Sequence, residues 1–172
     1  FPSLEFDYEY VSLRHEYEYP MNEGRLVSNK GLDIDAADYE NHFQEAHQPY
    51  STTLHSRLDQ SRIFLTGPMA RFSLNFDRLS EETQALSRQI NLPADCKNPF
   101  KSLLVRMVEV FEACREAIRI IDHYQKPETI EDEVMPCEGT GRWITEAPRG
   151  ILFHRYHIDE AGIIQNARIV AP

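Results

Sequence analysis

Cysteine is scarce in this chain of 172 residues: Cys96, Cys114 and Cys137 stand far apart, and no CxxC pair occurs. An odd, widely spaced set builds neither a disulfide framework nor a self-contained zinc or iron-sulfur site, and it fits a reducing compartment. Long apolar runs are lacking too. No stretch approaches the roughly 20 residues that span a bilayer, and the acidic opening from Phe1 to Tyr10 has none of the basic residues of a secretory signal. The expectation is a cytoplasmic address with no membrane segment. Positive charge is in deficit, since 18 Lys plus Arg against 28 Asp plus Glu leave a net −10. No basic cluster along the chain reverses that field, which argues against nucleic acid and anionic lipid as partners. Repeats and low-complexity tracts are absent. The first residue is Phe1 rather than methionine, which raises the expectation of a piece cut from something longer.

What is present suffices for one globular domain over residues 1–172, because 41% of positions are hydrophobic and a chain of this length buries roughly 70% of its unfolded surface. The expected fold class is α+β: N-terminal strands, two short helices, one long bundle helix and a C-terminal β-hairpin. From Leu4 to Tyr19 acidic and aromatic residues alternate, with a phase change near Val11 to Ser12 that predicts two strands or one bulged strand. Turn residues from Pro20 to Gly31 surround a short edge strand, Arg25 to Ser28. Asp35 reads as the N-cap of a helix to about Ala46 carrying Ala36, Tyr39 and Phe43. Arg62 to Leu65 reads as a buried strand ended by Gly67-Pro68, and Ser80 opens a helix to about Leu92.

The helix from Pro99 to about Tyr124 is the clearest element. Asn98 caps it, and Phe100, Leu103, Leu104, Met107, Phe111, Cys114, Ile118 and Ile121 form its apolar stripe. Val105, Val108, Val110, Ala113 and Ile120 add apolar surface off that stripe, so the helix calls for more neighbours than this chain supplies. After an acidic loop, Glu128 to Glu138, come Gly139-Thr140-Gly141, a run from Arg142 to Glu146, and a hairpin of Ile151 to Ile158 with Ile163 to Val170 about the turn Asp159 to Gly162.

The candidate sites are few. His42 and His47 are about 140° apart around a helix, and His154 and His157 alternate across a strand, so neither pair converges on one ion and no metal site is assigned. Cys114 reads as a small core residue, and Cys137, in a loop beside a Gly-rich turn, is left open. Gly139-Thr140-Gly141 lacks the strand-loop-helix context of a phosphate loop and reads as a turn. The carboxylates Glu128, Glu131, Asp132, Glu133 and Glu138 read as a solvated charge run with no acid/base pair. Glu146-Ala147-Pro148-Arg149-Gly150 is different. Pro148 restricts Ala147 to extended backbone and Gly150 permits close approach, giving a stiff crossing that can fix a guanidinium. By spacing alone Arg149 is either a loop pin, salt-bridged to a carboxylate, or a functional group, with the pin favoured.

The segment Gly139-Thr140-Gly141-Arg142-Trp143-Ile144-Thr145-Glu146-Ala147-Pro148-Arg149-Gly150-Ile151-Leu152-Phe153-His154 resembles the GxG…EAPRG…H signature of the large (alpha) subunit of nickel-iron hydrogenases, in the version carried by cytoplasmic multi-subunit enzymes. Asn22-Glu23-Gly24-Arg25 with Ser28 to Asp33, Pro49 to Thr53, Gly67-Pro68-Met69-Ala70-Arg71, and Asn166 to Val170 look like that branch in the same order. The resemblance implies a parent that reversibly oxidises dihydrogen at a nickel-iron centre with cyanide and carbon monoxide ligands. It further implies partners: an iron-sulfur small subunit, together with electron-carrier-reducing subunits. The family's metal thiolates lie in two CxxC motifs near the subunit's ends, and this sequence has neither. The expectation is therefore an internal fragment, inactive and metal-free by itself, with a tendency to self-associate.

By that resemblance Arg149 becomes the functional arginine over the open face of the metal pair, with Ala147 and Pro148 lining the pocket. Glu146 and His154 match signature positions and are expected to support the pocket rather than react. Two other parentages compete: the related quinone-reductase subunit of respiratory complexes, without nickel, and a non-enzymatic assembly or scaffold module.

Overall fold

The chain is described by a computed structural model, which covers residues 2–129, 131 and 134–172. Phe1, Ile130 and the Asp132 and Glu133 of the acidic run lie outside the described residues. The organising element is β1 (Val11–Arg14), a strand buried on both faces. It pairs antiparallel with β2 (Arg25–Ser28), which also pairs with β3 (Asp33–Ile34). The Arg25–Ser28 strand is thus central rather than at an edge. Only Val11–Arg14 of the expected N-terminal strands forms a ladder, and Tyr10 is held by a single parallel bridge to Leu65.

The expected helix from Asp35 to Ala46 is cut short. A 3-10 turn at Ala36–Asp38 leads into α1 (Tyr39–His42), and Phe43–His47 is a strand, β4, paired along its whole length with β5 (Leu54–Leu58). A ladder with a partner outside the sequence window overrides local helical periodicity. Asp35 makes no capping bond; its carboxylate accepts from Arg25 instead, at 2.8 Å. Arg62 to Leu65 is not a strand. Ile63 is 77% exposed, while Arg62 bridges back to Leu58 and pairs with Glu9. Gly67-Pro68 ends nothing and starts a helix that periodicity did not reveal, α2 (Pro68–Asn75), with the proline in its first turn.

The expected caps hold farther along. The Ser80 hydroxyl accepts from Thr83 N at the start of α3 (Glu81–Gln89), and the Asn98 side chain accepts from Phe100 N in the 3-10 turn Pro99–Lys101 that leads into α4 (Ser102–Asp122). The face that α4 buries is another matter. Val105, Val108 and Glu109 are buried against the rest of the chain, whereas Leu103, Met107, Phe111, Ile118 and Ile121 of the expected stripe are exposed. Cys114 is exposed with them; the buried cysteine is Cys96. The helix carries apolar residues on most of its circumference, so the covered side is chosen by what packs there, namely α2 and α3.

At the C-terminal end the hairpin has a third strand. Gly139-Thr140-Gly141 is no turn but the start of β6 (Gly139–Ala147), antiparallel to β7 (Gly150–Ile158), which pairs in turn with β8 (Ile164–Val170). The inner face of this sheet, with Ile144, Phe153 and Val170, packs on Val11, Leu13, Leu26 and Leu58. Tyr39 stacks between Phe43 and Phe153, with centroids 4.6 and 4.3 Å away. A second cluster, Tyr10, Met69, Phe72, Leu79, Cys96, Val105 and Val108, fills the helical side. Among the described residues no helix is long and apolar enough to cross a membrane.

Candidate functional site

The two cores meet along β1, and the Glu146 to Gly150 crossing lies at that junction. Ala147 pairs with Gly150 in the ladder, so Pro148 and Arg149 are the whole of a two-residue turn. Pro148 removes a donor that such a turn does not need, and Gly150 takes φ +155°, where a Cβ would collide with the Thr66 hydroxyl.

Beneath the turn stands Arg71, from the first half of α2, with its side chain 3% exposed. Its Nε and Nη2 donate to the two oxygens of Glu109 on α4, at 2.8 and 3.0 Å. Nη1 donates to Glu146 Oε2 at 2.9 Å and to the Ala147 carbonyl at 2.7 Å, and Nη2 reaches the Pro148 carbonyl at 3.4 Å. A single planar guanidinium thereby ties α2, α4 and the turn together, which its fixed fork of donors suits. Glu146, whose side chain is 0% exposed, completes the lattice by accepting from Leu13 N of β1 at 2.8 Å. Its own N–H donates to the Met21 carbonyl at 2.7 Å. The Tyr19 hydroxyl donates to Glu109 Oε1 at 2.6 Å.

The electrostatics follow from this burial. Burial pulls the Arg71 pKa down, but Glu109 and Glu146 more than reverse it and hold the guanidinium above its ordinary value. Burial pushes Glu146 above the usual carboxylate range, opposed by Arg71 and by the Leu13 N–H. Tyr19 is raised well above its ordinary value by burial and by Glu109 beside it. The network holds two carboxylates against one cation, and every member has hydrogen-bond partners.

Gly67 supplies the other half of the mould. With φ at +90°, it lies so close under the turn that a Cβ there would stand 2.5 Å from the Arg149 carbonyl oxygen. The Gly67-Pro68-Met69-Ala70-Arg71 segment therefore has a structural reason at both ends: glycine for close approach, arginine for the carbonyls.

Arg149 itself makes no ion pair and no hydrogen bond through its side chain among the described residues, and it is exposed. The loop-pin reading fails because the pinning is done by Arg71 through the backbone. Arg149 instead borders a cleft of about 360 Å³ between the turn and α4, lined also by Met21, Pro68, Arg71, Arg106, Glu109 and Val110. Pro148 lines the cleft beside Arg149, Ala147 contributes its carbonyl to Arg71, and Glu146 lies behind the wall. His154 is not part of the assembly. It alternates with buried Phe153 along β7, and its Nδ1 lies 2.9 Å from the Tyr156 hydroxyl. Sequence reasoning missed Arg71, Glu109 and Tyr19 as a unit. The one available signal was a charged residue beside Met69, Ala70 and Phe72, on a segment with no room for an exposed face.

The residues present do not fit a nickel-iron centre. No CxxC exists, Cys96 is buried, and Cys114 and Cys137 are exposed. Among the described residues the convergent group of potential ligands is His15, Glu18 and Glu23, which offers no thiolate.

No family model matches the chain. A search of curated proteins finds a subunit of the F420-non-reducing hydrogenase vhu of Methanocaldococcus jannaschii, 28% identical over 158 residues, covering 85% of this chain and 37% of that protein. It also finds the alpha subunit of sulfhydrogenase 1 of Pyrococcus furiosus, 28% identical over 149 residues, covering 86% of this chain and 34% of that protein. Among solved structures, an NAD+-reducing nickel-iron hydrogenase in its H2-reduced state superposes with a TM-score of 0.69 at 23% identity, over 97% of this chain and 40% of the other. The reduced, active form of the Ni-Fe-Se hydrogenase from Desulfomicrobium baculatum gives 0.57 at 18% identity, over 98% of this chain and 42% of the other. The chain thus spans well under half the length of the proteins it matches. In sequence the chain is similar to part of those hydrogenase A and alpha subunits, and in fold it shares part of the architecture of the nickel-iron and nickel-iron-selenium hydrogenase structures.

Proposed function

We propose that this chain is the central part of a nickel-iron hydrogenase large subunit, in which it presents Arg149 to a metal centre whose thiolate ligands come from other segments of the subunit. The observation that carries the reading is the turn itself: its backbone is fixed by Arg71 and Gly67, while the Arg149 side chain is left unpaired at the rim of a cleft. A guanidinium held that way supplies positive charge beside a reacting centre without binding metal. Its electrostatic role needs no deprotonation. The parent reaction is the reversible oxidation of dihydrogen, and the partners are an iron-sulfur small subunit plus electron-carrier-reducing subunits. The exposed apolar face of α4 is the surface that the remainder of such a subunit would cover.

Expression of the uncut reading frame with its maturation machinery tests this. Elemental analysis should find nickel and iron in the long product and neither in the 172-residue chain. Arg149→Lys in the long product should keep both metals and lose most dihydrogen uptake. Full uptake by that variant, or a long product without nickel, overturns the reading.

A further inference from the structure

The C-terminal sheet carries a second feature that the Arg149 site does not use. Arg142 of β6 is the register partner of Arg155 of β7, and Arg155 is the register partner of Arg168 of β8. Three guanidiniums therefore stand side by side across three strands, on the same face as Ile144, Phe153 and Val170, one row beyond the apolar core. Like charges in directly opposed positions destabilise a sheet, so such a row needs negative charge above it.

Part of that charge comes from the chain. Glu40 of α1 receives both of its Arg155 bonds at 3.0 Å and one from Arg168 at 2.7 Å, and Glu45 lies 3.6 Å from Arg168. Arg168 and Arg155 hold the Glu40 carboxyl below its usual range although burial opposes them. Two carboxylates facing three guanidiniums leave one positive charge over. Arg142 is where it is left: its Nε is 3.7 Å from Glu40, and it makes no hydrogen bond among the described residues.

The next row outward on the same face is Thr140, His157 and Asn166, again in register. The Asn166 side-chain oxygen is taken by Arg155 Nη2 at 3.0 Å, so its amide hydrogens remain. The Thr140 hydroxyl lies 3.0 Å from His157 Nδ1; with the hydroxyl as donor, the other ring nitrogen keeps its hydrogen. Asp159, which follows β7, commits its carboxylate to the Ala161 and Ile163 amides and to Gln165. The two rows thus offer several donors and a surplus cation, on a chain whose net charge is −10.

We propose that the Arg142-Arg155-Arg168 row, with Asn166 and His157, is a binding site for a phosphate group. Adjacent strands are separated by about 5 Å, which lets neighbouring guanidiniums bracket one tetrahedral oxyanion from two sides. The site uses side chains on a sheet face rather than the backbone amides of a glycine loop, so the absence of a phosphate-loop context at Gly139-Thr140-Gly141 does not bear on it. It is independent of the hydrogenase reading.

Calorimetric titration of the 172-residue chain with inorganic phosphate and then with ADP, at constant chloride and low ionic strength, tests the site. Saturable one-to-one binding is expected, weakened at least about tenfold by Arg142→Gln. Because Arg142 makes no hydrogen bond, that variant should melt at the wild-type temperature. Asn166→Asp, which puts a carboxylate in the outer row, should also abolish binding. If ADP binds more tightly than phosphate, the group is carried by a nucleotide; equal affinity assigns free phosphate. Absence of saturable binding, or binding that Arg142→Gln leaves unchanged, overturns the proposal.

Discussion

Replacing Arg71 by methionine keeps most of the side chain's volume and removes the cation that pairs with both Glu109 and Glu146. Both carboxylates are at most 9% exposed, so water cannot take over from the guanidinium. Breaking a buried ion pair from one side costs about 3–5 kcal/mol, a large part of the ~5–15 kcal/mol that holds a domain folded. For a chain of this size that corresponds to a fall in melting temperature of roughly 6–20 °C. The deficit should depend on pH. Glu146 already has a raised folded pKa, so its contribution to stability is fully present below the ordinary carboxylate pKa and is lost as pH rises through the folded value. Without Arg71 that folded value moves higher still. The variant should therefore lie near wild type in mild acid and show its full loss by neutral pH. Urea denaturation of both proteins at pH 4 and pH 7.5, followed by far-UV circular dichroism, measures this. Adding Glu109→Gln and Glu146→Gln should recover at least half of the loss at pH 7.5. A loss under about 1 kcal/mol at neutral pH, or one that grows on acidification, would refute the reasoning.

Two further outcomes follow from the same geometry. Gly67→Ala places a methyl group against the Arg149 carbonyl at a φ of +90°, and should cost about 1–3 kcal/mol in a urea melt; a neutral effect would show that the turn can shift away. The 172-residue chain alone should show a sedimentation coefficient that rises with concentration, and Met107→Lys with Ile118→Lys should suppress the rise, because both residues lie exposed on α4. A concentration-independent monomer before substitution would refute that.

Local chemistry made some elements legible and left others hidden. Ser80 and Asn98 announce their helices because a cap is a contact with the next three residues. The strand Phe43–His47 could not be read because its partner begins at Leu54, and its own spacing imitates a helix. The burial of Val105 and Val108 in place of Met107 and Phe111 depends on α2, an element with no periodic signature of its own. At the site, Glu146 to Gly150 declared its stiffness through Pro148 and Gly150. Arg71, 75 residues from Glu146, showed only as a charge amid the apolar Met69, Ala70 and Phe72, and nothing local named its partners. The arginine row was equally invisible: Arg142, Arg155 and Arg168 are 13 residues apart in each step, and only the register of three strands makes them neighbours.

The turn at Pro148 and Arg149 is anchored entirely through main-chain atoms and through the side chains of other residues. Its guanidinium takes no part in keeping its own backbone in place. Evolution, or an experimenter, can therefore exchange the group displayed at position 149 and alter what the cleft does to a guest while the scaffold stays as it was, so a panel of substitutions there reports chemistry uncontaminated by folding.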